Sequence, residues 1–223
     1  MTSPVRRRVL IFSGGADYLD PWHPFSETSA IVAKLLRDIG LEVVVTDRVD
    51  DLLARSSAPR PDLLIVNAGS GPEEHSRDSD LLGLFRGHVE TGGALLVLHV
   101  AATLFKNSPD WEKLIGGRWV RGRSMHPEGG QFRLEVEPIA HPITTGLPDL
   151  ETVDEAYARL RVEPASEVLV SHVFEGERHP LLWTWQAGGG PVVYDALGHD
   201  RRAYDSAVAT SLLTRSAAWL LDR

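Results

Sequence analysis

Three histidines follow apolar runs that read as buried strands. His23 lies on the loop after Val9 to Phe12, His99 directly follows Ala94 to Leu98, and His199 follows Pro191 to Ala196. Imidazole titrates near neutral pH, so such a group can take or give a proton or ligate a metal. Three imidazoles at the carboxyl ends of separate strands suit acid–base work. With a water as fourth ligand they also suit a divalent cation such as zinc. No His-x-x-x-His pair occurs in the chain, so a metal site would have to be assembled from distant loops. Asp154 and Glu155 add an acid pair next to Tyr157, able to share proton transfer or hold hydroxyl groups. Gly14 and Gly15 could bring backbone N–H groups close to an anion. Trp22, His126 and Asp200 complete the set of polar or stacking groups expected around such a site.

Each of these residues also has an ordinary structural use. His99 can cap a buried strand, and Gly69 and Gly71 can simply make tight turns. His141 and His179, each before a proline, read as loop corners, whereas His126 lies beyond a flap-like Gly116–Ser124 segment. Among the tryptophans, Trp183 and Trp185 suit the core, leaving Trp22 and Trp111 as candidate walls for a sugar face.

The elements that must position these groups alternate. Val9–Phe12, Leu41–Thr46, Asp62–Val66 and Ala94–Leu98 read as strands. Between them, Ile31, Val32, Leu35, Leu36 and Ile39 mark one helical face, capped by Ser26 or Thr28. A helical turn over Asp50–Ala54 and a helix over Asp80–Glu90 follow. Strand–helix alternation predicts a parallel, doubly wound α/β sheet whose loops meet at one edge. Further on, Trp111–Ile115 reads as a short helix and Gly116-Gly117 as a turn. Gln131–Val136, Tyr157–Val162, Val168–Phe174 and Leu181–Gln186 read as strands extending the sheet antiparallel. Pro191–Ala196 is the last strand and Ser206–Leu221 the closing helix.

The 223 residues form one predicted domain, with residues 1–7 expected to be disordered. A net charge of −8 argues against nucleic-acid and anionic-membrane partners. No apolar run approaches the ~20 residues of a membrane span, and the apolar run after Arg6–Arg8 is too short for a signal peptide. A cytoplasmic, soluble protein is expected, and a homo-oligomer is compatible with the sequence. There is no cysteine, which excludes disulfides, thiolate metal sites and a thiol nucleophile. No Gly-x-Gly-x-x-Gly follows the first strand and no Gly-Lys-Ser/Thr occurs, so no nucleotide cofactor is expected.

Several segments together resemble the ThuA-like, or trehalose-utilisation, family over nearly the whole chain. They are LLVLHVAATLF ending at Phe105, His126-Pro127, His141-Pro142-Ile143-Thr144 with Gly146-Leu147-Pro148, and Asp154-Glu155-x-Tyr157. PLLWTW and Leu197-Gly198-His199-Asp200 with Tyr204 complete the series. The resemblance implies a flavodoxin-like three-layer α/β/α sandwich, similar to class I glutamine amidotransferases, with an antiparallel extension of the sheet. In those enzymes a cysteine occupies the sharp turn after a central strand. Here His99 holds that place, which rules out thiol-dependent amidotransfer. The family's link to sugar utilisation implies a glycoside or keto-sugar as small-molecule partner.

Residues and resemblance together name His99, His199, His23 and Glu155 as candidate catalytic groups. Gly14, Gly15, Trp22, His126, Asp154, Tyr157, Asp200 and Tyr204 are the candidate substrate contacts. A divalent metal stays open. So do two other readings, a non-catalytic sugar-binding or regulatory module and a metal-dependent hydrolase.

Overall fold

A computed structural model of the chain describes residues 7–15, 18–57, 59–70, 74–106, 108–147 and 150–223. Five strands run parallel: β1 (Arg8–Ser13), β2 (Glu42–Thr46), β3 (Leu63–Asn67), β4 (Ala94–Leu98) and β12 (Gly190–Asp195). The connecting helices are α1 (Phe25–Asp38), α2 (Val49–Ser57) and α3 (Asp78–Glu90), and α5 (Ala207–Leu221) closes the chain. Beyond β12 the sheet continues antiparallel through β11 (Glu177–Ala187), β10 (Glu167–Phe174) and β7 (Glu135–Val136). The full order is β2-β1-β3-β4-β12-β11-β10-β7.

Helices α1 and α5 pack against one face of the parallel strands and α2 and α3 against the other. That sandwich explains why β3 and β4 are aliphatic at nearly every position, for both of their faces are covered. The chain steps from β1 outward to β2 and then crosses back to β3. The flavodoxin order therefore opens a crevice at the carboxyl ends of the strands, where loops diverge.

Several local expectations are corrected. Helix α1 starts at Phe25, directly after Pro24, and no Ser26 or Thr28 side chain caps it; the Pro24 carbonyl accepts the Thr28 N–H at 3.0 Å. Its buried stripe is Phe25, Thr28, Ser29, Val32, Ala33 and Leu36, while Ile39 is 49% exposed. The stripe turns because Asn67, at the end of β3, donates to Thr28 Oγ1 and Ser29 Oγ, both at 2.9 Å. A buried amide needs those hydroxyls more than the core needs Ile31 or Ile39.

The stretch Gln131–Val136 is not one strand. It divides into β6 (Gly130–Arg133) and β7, because the N–H of buried Leu134 turns aside to the Leu150 carbonyl at 2.7 Å. Strand β6 pairs instead with β8 (Glu151–Asp154), which ends immediately before Glu155. Of Tyr157–Val162 only β9 (Arg161–Val162) is a strand, paired with β5 (Gly117–Arg118) after the short helix α4 (Pro109–Ile115). Gly116 alone makes the expected turn there, as a left-handed helix cap.

Asp17, Gly71, Pro148 and residues 1–6 lie outside the described residues. Arg7, expected in the same disordered start, pairs with Asp62 at 3.0 Å. No described helix is long and apolar enough to cross a membrane.

Candidate active site at the carboxyl edge of the sheet

His99 opens a 3-10 turn (His99–Thr103) directly at the end of β4 and has a left-handed backbone, φ +45°. A side chain in that region costs about 1–2 kcal/mol, so the surroundings must hold it. They do so from three sides. Its Nδ1 donates to the Ala196 carbonyl at 2.6 Å, and its own carbonyl accepts from the Tyr194 hydroxyl at 2.9 Å. With the proton on Nδ1, Nε2 is the acceptor and receives the Tyr157 hydroxyl at 3.0 Å.

His23 is fixed by Asp20. Asp20 accepts the backbone N–H groups of Trp22 (2.9 Å) and His23 (3.0 Å), and its Oδ1 lies 2.7 Å from His23 Nδ1. The bond places the His23 proton on Nδ1 and turns Nε2 inward, where it is buried without a partner. Gly69 makes this possible: a Cβ there would stand 2.4 Å from Asp20 Oδ2. Its absent side chain serves close approach as well as the turn.

Asp154 and Glu155, adjacent in sequence, part company. Asp154 is buried and accepts the N–H groups of Gly198 (2.6 Å), His199 (3.1 Å) and Glu155 (2.8 Å). It thereby ties the loop after β12 to the end of β8. Gly198 is needed at that loop, since its φ is +114° and a Cβ would stand 2.4 Å from the Tyr204 hydroxyl. Glu155 instead points into the crevice. Its Oε2 lies 3.4 Å from His99 Nε2, 3.3 Å from His199 Nδ1 and 3.5 Å from His126 Nε2. His199 Nδ1, despite that distance, makes no hydrogen bond. The rings of His23, His99 and His199 are mutually 4.8–5.5 Å apart.

Burial acts against charge throughout this cluster, and neighbours decide each outcome. It would raise the Glu155 carboxyl, yet His199 and His99 hold it well below the usual carboxylate range. Glu155 in turn raises His199 against burial. Burial lowers His23 in spite of Asp20, and raises Asp154 in spite of His99 and its backbone donors. Burial likewise pushes the Tyr157 phenol well above its ordinary value. The cluster therefore holds an ionised carboxylate, one imidazole biased toward its charged form and another biased toward its neutral form.

His23, Glu155, Tyr157 and His199 border a cavity of about 510 Å³. Trp22, 73% exposed, stands on one wall, and Trp119 packs edge-on against Tyr157 at 4.7 Å on another. His126, Arg121, Ser70, Val100 and Thr103 also line it.

The cavity is lined by His23, His199, Glu155, Tyr157, Trp22 and His126, with His99 buried just behind it against Tyr157 and Glu155, and the other candidates lie outside the lining. Gly14 and Gly15 abut Phe25 and Asp47. Asp200 caps the Arg201–Asp205 turn by accepting the Arg202 N–H at 2.8 Å. Tyr204 packs under Gly198 and borders a separate surface groove. Asp154 acts on the cavity only through the loop it holds. Trp111 is no wall, being wholly buried with its Nε1 donating to Ala101 beneath the His99 turn. His141 and His179 are buried away from the cavity and receive backbone N–H groups.

Sequence reasoning misses Asp20 and Trp119. The Asp20-Pro21-Trp22-His23 spacing, an acid three residues before a histidine in a proline-bounded loop, carries a signal for the first. No spacing carries one for Trp119.

A parallel sheet in flavodoxin order, with a histidine–glutamate cluster over its carboxyl edge, defines an α/β protein of the flavodoxin-like class with a cavity at its switch point. Within that class the chain belongs to the ThuA family, described as trehalose utilisation, whose model matches residues 8–220. Among solved structures, a ThuA-like protein of Parabacteroides merdae superposes with a TM-score of 0.77 at 18% identity, covering 97% of this chain and 90% of that one. One of Bacteroides uniformis gives 0.73 at 17%, covering 99% and 94%. A protein of Salmonella typhimurium described as cytoplasmic gives 0.65 at 15%, covering 96% and 99%. At these identities the likeness is one of fold. No curated protein matches the chain significantly in sequence.

Proposed function

We propose that this chain is an enzyme of sugar metabolism that acts on a glycoside or keto-sugar by proton transfer at a ring carbon or beside a carbonyl. The observation that carries the reading is Glu155 Oε2 within 3.3–3.5 Å of three imidazole nitrogens, at the wall of the cavity. Groups whose surroundings push their proton affinities apart supply a donor and an acceptor at one pH. Here His199 is the donor and His23 the acceptor, while the Tyr157–His99 pair relays a proton from the cavity floor. Trp22 and Trp119 offer faces for the apolar side of a sugar ring, and Arg121, Ser70 and His126 offer partners for its hydroxyls. The cavity volume falls in the range of small-molecule sites.

The test is turnover of 3-keto-glucosides and their parent glycosides, followed by NMR, for the native chain and for His23→Ala, His99→Ala and His199→Ala. Each substitution should cost about 10²–10⁴ in kcat, as loss of a general acid or base does. Unchanged turnover in all three refutes the assignment. A melting temperature raised by sugar with no product formed would make the chain a binding module instead.

A further inference from the structure

The geometry points to a divalent transition-metal site, of the zinc class, built by His23, His99, Glu155 and His199. One ligand-type atom from each of the four lies within 4.8 Å of every other. A tetrahedral ion with bonds of about 2.0–2.1 Å sets its donors ~3.3 Å apart. Glu155 Oε2 already lies 3.3 Å from His199 Nδ1 and 3.4 Å from His99 Nε2.

The hydrogen bonds around the cluster separate ligand atoms from supporting ones. A metal-binding histidine characteristically donates its other N–H to a carboxylate or carbonyl, which fixes the tautomer and aims the bare nitrogen. His23 does this through Asp20, at 2.7 Å, and His99 through the Ala196 carbonyl, at 2.6 Å. The facing atoms, His23 Nε2 and His199 Nδ1, are both buried without a hydrogen-bond partner. The buried, unpaired His23 Nε2 is costly unless something electropositive joins it, and His199 Nδ1 faces the Glu155 carboxylate at 3.3 Å without a hydrogen bond. Three imidazoles and one carboxylate match the donor preference of zinc, copper, iron and nickel rather than magnesium or calcium.

The Tyr157 hydroxyl donates to His99 Nε2, so it competes with a cation for that nitrogen. Binding would release the phenol toward the cavity. The inference uses the same residues as the acid–base reading but does not depend on catalysis. Metal uptake and turnover are therefore scored separately: uptake without turnover leaves this site standing, and turnover without uptake leaves only the acid–base reading.

The experiment uses the full chain, purified without a metal-affinity tag and stripped with chelator. It is titrated with Co²⁺ while the visible d–d absorption is followed, then challenged with Zn²⁺. Saturation at one equivalent per chain is expected, with Zn²⁺ displacing the signal. Glu155→Ala and His199→Ala should each weaken uptake at least 100-fold. Asp20→Asn should weaken it about 10–100-fold, as loss of a supporting partner does. Tyr157→Phe should bind as tightly as the native chain or more tightly. Circular dichroism checks that each variant folds, and the native stoichiometry stands whatever the variants do. Absence of saturable uptake by the native chain, or uptake unaltered in folded Glu155→Ala and His199→Ala, overturns the proposal.

Discussion

Asp154 Oδ2 accepts the Gly198 N–H at 2.6 Å, and this bond joins the end of β8 to the loop that carries His199. The cluster's spacing depends on it, because Glu155 follows Asp154 and His199 follows Gly198. Removing the carboxylate leaves three N–H groups without their acceptor. Asp154→Ala should lose about 2–4 kcal/mol in urea unfolding, at about 1–3 kcal/mol for each donor that stays buried and unpaired. Asp154→Asn, which keeps one acceptor oxygen, should lose roughly half as much. An alanine variant of native stability would show that the two loops are held by something else.

The left-handed backbone of His99 makes a separable prediction. At φ +45° glycine is unstrained, whereas alanine bears the Cβ penalty. His99→Gly and His99→Ala lose the same imidazole contacts, so their difference isolates the backbone. The glycine variant should be the more stable by about 0.5–1 kcal/mol after its larger unfolded-state entropy is counted. The reverse order in chemical denaturation would mean that the turn relaxes when the ring is gone.

Gly14 tests packing against ligand contact. A Cβ at this position would lie 2.3 Å from the Phe25 ring, so the start of α1 must shift to admit it. Gly14→Ala should destabilise the chain by about 1–3 kcal/mol. For a chain of this size that lowers Tm by about 2–12 °C, read by calorimetry. KM for any substrate should not change. A fully stable variant with raised KM would return Gly14 to the ligand contacts that the sequence suggests.

His88 provides a pH signature away from the cavity. Its Nε2 donates to the Ala94 carbonyl at 3.0 Å and its Nδ1 accepts from Arg60 Nε at 3.3 Å, so the neutral ring is fully used. Burial first, then the Arg60 charge, depress its pKa from 6.5 to about 4. The unfolded chain therefore takes up this proton at a higher pH than the native chain does. The stability from a neutral His88 is complete above pH 6.5. It falls away as the pH drops toward 4, by an amount of order 3 kcal/mol. Urea unfolding between pH 7 and 4 should show that loss, and His88→Gln should flatten it. Parallel pH profiles for the two proteins would exclude the assignment.

Much of the scaffold is legible in residue types alone. Strands β3 and β4 are aliphatic at almost every position because helices cover both faces, and that burial writes itself into composition. His99 and His199 stand out because a polar group just past such a strand can only lie at the sheet's edge. Strand register and helix phase are less legible at α1, where Asn67 draws Thr28 and Ser29 into the core from thirty-nine and thirty-eight residues away.

The roles inside the cluster belong to tertiary structure alone. Asp154 and Glu155 are neighbouring acids with no local feature to rank them. One is consumed by backbone donors, two of them from the loop after β12 more than forty residues on, and the other is set among imidazoles. Likewise Gly14 and Gly69 look alike as turn glycines, yet one makes room for Phe25 and the other for the Asp20 carboxylate that orients His23. Sequence determines which groups are available and which strand ends carry them. Only the folded chain decides which nitrogen faces which oxygen, because that depends on contacts between residues brought together from opposite ends of the chain.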